Sequence, residues 1–191
     1  VQDGARRQRE GAMTAKDLER WCERAVELGA EAATAIPAQS VVTADWVRMK
    51  CLYGCGGGDE CRTCPPHSPT PAETRAVLDG FERAVLLRIG PLTGADDEDS
   101  HALRLRTAAL ALERELFLAG HYKTWSMLCG PCELCETCDI SGPCVHPQEA
   151  RPSMEACGVD VFATVRNAGW EIEVVRDEDD AYRLFAVVLV D

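Results

Sequence analysis

At 191 residues, with 46% hydrophobic and 27% charged residues, the chain is long enough for one globular domain with a substantial core. Its formal net charge of -12 argues against nucleic acid and anionic membrane surfaces as partners, and no apolar run reaches the length needed for membrane insertion. Eleven cysteines, an odd number behind a polar start, point to reduced, metal-binding thiols in the cytoplasm rather than a secreted disulfide scaffold.

Taken in order, residues 1–13 read as a disordered leader and residues 14–191 as a single cysteine-rich domain. Thr14 and Asp17 predict a capped helix ending at Gly29, with Cys22 on its apolar stripe as a core thiol. The stretch from Val41 to Lys50 reads as extended. It leads into a first cysteine loop, Cys51, Cys55, Cys61 and Cys64, in which the run Gly56–Gly58 lets backbone amides approach a bound group. Thr70-Pro71-Ala72-Glu73 opens a helix to about Phe81, and Arg83 to Ile89 is a buried strand closed by Gly90-Pro91.

An acidic N-terminus at Asp96 to Asp99 then leads a long helix to about Ala119, and Tyr122 to Leu128 is strand-like. That strand runs into the second loop, where Cys129, Cys132, Cys135 and Cys138 follow one another at x2 spacing and Cys144 lies just beyond. A helix over Val159 to Ala168 and strands over Glu171 to Val175 and Tyr182 to Val190 close the chain. The expected class is α/β, or mixed α+β: a mixed sheet covered by helices, carrying two cysteine-rich metal-binding loops.

Three consecutive x2 repeats let several thiolates surround one polynuclear core, which favours a [4Fe–4S] cluster, with zinc as the alternative. His67 and His146 follow the two loops closely and are expected to act outside the ligand set. Arg151 and Glu155 either pair beside the site or cap the turn before the last helix. No nucleotide-binding or hydrolase motif is present.

The motifs Cys51-x3-Cys55 with Cys64-Pro65-Pro66-His67-Ser68-Pro69, Gly130-Pro131-Cys132-x2-Cys135-x2-Cys138, Cys144-Val145-His146-Pro147 and Arg151-Pro152-Ser153-Met154-Glu155-Ala156 carry a resemblance. They resemble a bacterial and archaeal family of predicted metal-binding proteins classed as a domain of unknown function, over roughly Cys51 to Val161. The resemblance implies metal or iron–sulfur binding without an established reaction. It sorts the ligands into Cys51, Cys55 and Cys64 on one hand and Cys132, Cys135, Cys138 and Cys144 on the other, with Cys61 and Cys129 as additions. The first group lacks a fourth ligand, which Cys61, Cys157 or a non-protein group can supply; Cys157 is equally read as a small buried residue.

The leading expectation is therefore a protein with one or two [4Fe–4S] clusters that exchanges electrons with a redox partner protein. The alternatives are a redox enzyme or reductive activator with a substrate-binding cluster, and a zinc-stabilised interaction module. The sequence sets no oligomeric state.

Overall fold

Two runs rich in Val, Leu and Ile form the centre of the computed structural model, which describes residues 13–55, 60–94, 96–177 and 179–191. Strands β1 (Ala32–Pro37), β2 (Arg83–Leu92), β3 (Thr124–Met127) and β4 (Tyr182–Val190) build one sheet in the order β1-β2-β4-β3. The mixed α/β class is as expected, and every pairing within the sheet is antiparallel. The central pair aligns Val85 with Val188 and Leu87 with Ala186. Successive residues point to opposite faces, so strands this apolar must be covered on both sides.

Helices α1 (Ala15–Glu27) and α4 (Glu98–Leu118) cover one face. Val85, Leu87, Val188 and Val190 pack there against Leu105, Leu112 and Leu116 of α4. The other face places Leu86, Val187 and Leu189 against Leu78 of α3 (Pro71–Asp79), Val165 of α5 (Val161–Asn167) and the turn residues Met154 and Val159. Each such buried aliphatic side chain contributes about 1.5–3 kcal/mol, which makes this double layer the main source of stability. The helix starts are as the sequence predicts: Thr14 with Asp17 and Thr70 with Glu73 form reciprocal capping boxes.

Two local expectations are corrected, and one strand is added to those expected. The segment expected to be extended over Val41 to Lys50 is helical from Asp45 to Gly54 (α2), which places Cys51 in the last turn of a helix. Only Val47 of its apolar residues is buried, so the helix lacks the strong stripe by which it could be recognised. Glu171 to Val175 has strand-like alternation but joins no ladder. Strand β1 was not foreseen, because Ala32-Ala33-Thr34-Ala35 carries little strand propensity and is held by its ladder to β2. Of the expected leader, residues 1–12 lie outside the described residues, as does the run Gly56–Gly58, while Met13 is buried against the α1/α4 layer.

Gly158 has φ +73°, and a Cβ there would stand 2.4 Å from Cγ of Pro71 at the start of α3. Gly158→Ala is expected to cost about 2 kcal/mol or more, read as a lowered denaturation midpoint. Cys22 packs against the α1/α4 core as expected, and burial, reinforced by Glu19 and Glu23, raises its thiol from near 9 to about 11. Between those values the folded state keeps a proton that the unfolded chain has released. Stability therefore falls as pH rises through that window, and Cys22→Ala should flatten that part of the pH–stability curve.

Candidate metal centre

The second cysteine loop departs from the end of β3 and returns to it. Leu128 and Ser153 form an isolated bridge, with Leu128 N–H donating to Pro152 O at 2.9 Å and Met154 N–H donating to Leu128 O at 2.9 Å. The same junction is fastened from α4. Glu113 accepts from Arg151 Nη2 at 2.6 Å and Nε at 3.2 Å, from Ser126 N–H at 2.9 Å, and from the Ser126 hydroxyl. Both partners of the ion pair are only 11% exposed, and the Arg151 guanidinium stacks 4.4 Å from the Trp125 ring centre. The partner of Arg151 is thus Glu113 rather than Glu155.

Between these pinned ends the loop buries the opposite of what apolar packing would choose. From residue 131 to 145 only Cys132, Cys135, Cys138, Gly142 and Cys144 are shielded, each half-buried. Leu134, Ile140 and Val145 stand outside at 39%, 42% and 75% exposure. A loop that turns in its four thiols and turns out its aliphatic side chains is not held by the hydrophobic effect. No regular ladder satisfies its backbone either. Arg106 of α4 donates to Pro131 O at 2.7 Å and pairs with Glu133 at 2.6 Å, while Arg62 of the first loop donates to the carbonyls of Asp139, Ile140 and Gly142.

The first loop is held in the same manner. Arg48 of α2 donates to Pro69 O at 2.8 Å and to the carbonyls of Pro66 and Ser68, and the Ser68 hydroxyl donates to Ala156 O at 2.6 Å. Cys51, Cys55 and Cys64 line a cavity of about 590 Å³, together with Cys129 and Glu155. Phe162, Ile172, Val174 and Leu184 share that lining, so the segment expected as a strand at Glu171 to Val175 serves as a cavity wall. The Cys51 thiol lies 3.7 Å from Glu155 O.

Cys61 stands between the two groups. Its sulfur is 3.9 Å from Cys132 O and 3.3 Å from the Thr63 hydroxyl, and its carbonyl accepts from Cys64 N–H at 3.0 Å. Cys157 is 2% exposed, packs in the core beside Met154 and Val159, and is not among the cavity-lining residues. Cys129 is buried, with its thiol 3.8 Å from Ala102 O. His67 is exposed, and the ring of His146 lies 3.6 Å from Glu149.

All eleven cysteines are free. Burial raises the thiols of Cys51 and Cys132, and raises Cys64 to about 12 with help from the neighbouring charge on Cys61. Burial works against ionisation of Cys61 as well, but hydrogen bonding, chiefly with Thr63, outweighs it and lowers that thiol. Glu155 is open to solvent through the cavity yet ringed by protein, and this desolvation lifts its carboxyl above the usual range. Among the described residues, no three Cys, His, Asp or Glu side chains are drawn together around a single ion. The arrangement brings thiols to neighbouring positions without closing them on one point.

A family model described as a predicted metal-binding protein (DUF2284) matches residues 34–190. The chain belongs to this family. The match extends well beyond the Cys51 to Val161 motifs and takes in β1 through β4, so the sheet and the two loops together are the family unit. No curated protein and no solved structure matches the chain. Predicted metal binding is the property the family description carries. Among the described residues, no helix is long and apolar enough to cross a membrane.

The residues that sequence reasoning missed are Arg48, Arg62, Arg106, Glu113 and Ser126. Arg62 lies between two cysteines, but its carbonyl partners are 77 to 80 residues further on, a separation no local pattern reports. Replacing Glu113 with alanine would leave Arg151 buried without its partner. Glu113→Ala is expected to destabilise the protein by about 3–5 kcal/mol in denaturant unfolding and to make the loop 129–150 the first site of proteolysis.

Proposed function

We propose that this protein holds one or two [4Fe–4S] clusters on its cysteine loops and exchanges single electrons with a partner redox protein in the reducing environment of the cytoplasm. Cys132, Cys135, Cys138 and Cys144 are the ligands of one centre. Cys51, Cys55 and Cys64, completed by Cys61 or a non-protein ligand, are those of the other. The single observation that carries the reading is the inside-out second loop, in which the only shielded side chains from residue 131 to 145 are four half-buried thiols.

The residues present fit such a group. The thiols are free and, apart from the exposed Cys55, partly shielded; the first loop leaves the end of helix α2 and the second the end of strand β3. The run of consecutive x2 spacings from Cys129 to Cys138 favours a polynuclear occupant over a single zinc ion. Such a cluster, when bound, takes up and returns one electron at a time. The chain's own contribution is to deliver the thiols, exclude part of the solvent and present Leu134, Ile140 and Val145 as an apolar surface beside the centre, where a partner can approach.

The cavity favours a second reading, a redox enzyme or reductive activator. Of the four cysteines on its lining, Cys129 stands outside the ligand set, so Cys51, Cys55 and Cys64 leave a fourth position open, and Phe162, Ile172, Val174 and Leu184 offer an apolar wall for a substrate.

Protein purified without oxygen is expected to carry about four or eight iron atoms per chain with equal acid-labile sulfide, and a visible chromophore that bleaches on reduction. A colourless protein holding only zinc would make it a metal-stabilised interaction module instead. A shift of the paramagnetic spectrum on adding a candidate substrate would select the enzyme reading over simple electron transfer.

A further inference from the structure

The two cysteine loops are far apart in the sequence yet meet in space through one short segment, Cys61 to Cys64. Cys61 reaches the carbonyl of Cys132, the first ligand of the second loop, at 3.9 Å. Arg62 reaches the turn between the last two ligands of that loop, donating from Nη2 to Ile140 O at 2.8 Å, to Asp139 O at 3.3 Å and to Gly142 O. The first loop therefore touches the second at its beginning and at its closing turn.

That closing turn has a defined shape of its own. Asp139 Oδ1 accepts from Ser141 N–H at 2.8 Å, from the Ser141 hydroxyl at 2.6 Å and from Gly142 N–H at 3.3 Å, a side-chain-capped turn that gathers three carbonyls on one guanidinium. Such carbonyls have no helix or sheet partner, and the Nη2 end of Arg62 serves all three at once. Arg62 is half-buried in this contact. It has no carboxylate within ion-pair distance among the described residues, so its charge is directed to the turn. The turn in question sets the reach from Cys138 to Cys144.

We propose that Arg62 is a positioning residue through which the first cysteine loop organises the second, so that the four-thiol centre of Cys132, Cys135, Cys138 and Cys144 assembles only on a docked first loop. The inference rests on the reading that these four thiols bind metal. Its consequence is that the two loops form one interdependent unit, and that disturbing the Cys61 to Cys64 segment empties a centre whose own ligands are all intact.

The test compares wild type, Arg62→Ala and Arg62→Lys, each purified without oxygen, by iron and sulfide content, by paramagnetic resonance of the reduced protein, and by far-ultraviolet circular dichroism. Arg62→Ala is expected to lose one cluster's worth of iron, about four atoms per chain, with the sheet and helix signal unchanged. Arg62→Lys, which keeps the charge on a shorter side chain, should reach the three carbonyls less well, fall between the two and show an altered resonance line shape. Asp139→Ala, on an exposed residue, loosens the turn without removing Arg62 and should lower the same signal, which keeps the test available if Arg62→Ala does not fold. Wild-type iron content and resonance in Arg62→Ala, or in Asp139→Ala where Arg62→Ala does not fold, would overturn this inference alone. Absence of iron and sulfide from the wild type itself would instead overturn the reading on which it rests.

Discussion

A buried carboxylate holds the architecture and the metal loop together. Glu113 projects from α4 to the junction where β3 ends and the second loop returns, and it accepts from both sides of that junction through Ser126 and Arg151. An isolated carboxylate at 11% exposure would be costly, and so would an isolated guanidinium. Each makes the other tolerable only in one geometry, so the pair specifies where the loop begins and ends more than it adds net stability. The sheet fixes the position of Ser126, and through this contact it fixes the base of the cysteine loop.

Beyond that base the usual means of ordering a chain are missing. The loop has no ladder, its aliphatic residues face outward, and its interior consists of thiols. Arginines take over the role of secondary structure by donating to carbonyls that would otherwise go unpaired: Arg106 at the start, Arg62 at the closing turn, and Arg48 under the first loop. A protein with a net charge of -12 thus places several of its limited cations at the backbone of its cysteine loops. The contacts are directional and multidentate, which suits a site that must keep its shape while a cofactor enters.

Local patterns made much of the fold legible in the sequence. The capping boxes at Thr14 and Thr70, the continuous apolar runs of β2 and β4 and the x2 cysteine spacing are all written within a few neighbouring residues, and all of them appear in the structure. What escaped was decided at long range. β1 exists because β2 offers it an edge, and α2 is a helix whose stripe is too weak to declare itself. Glu171 to Val175 alternates like a strand but lines a cavity instead of joining a ladder. The two cysteine loops are evident from their spacing, whereas the arginines that shape them are not, because their partners lie tens of residues away.

The single bridge of Leu128 and Ser153 makes the cysteine loop a closed excursion from the sheet. The entropy of bringing its ends together is absorbed by the antiparallel core, which forms from residues outside the loop. Once the ends are fixed, lengthening such a loop costs little, on the order of 0.6 kcal/mol for each doubling. The interior can therefore change in length and cysteine spacing almost independently of the sheet, and the fold carries this cysteine-rich segment as an insertion closed at one point.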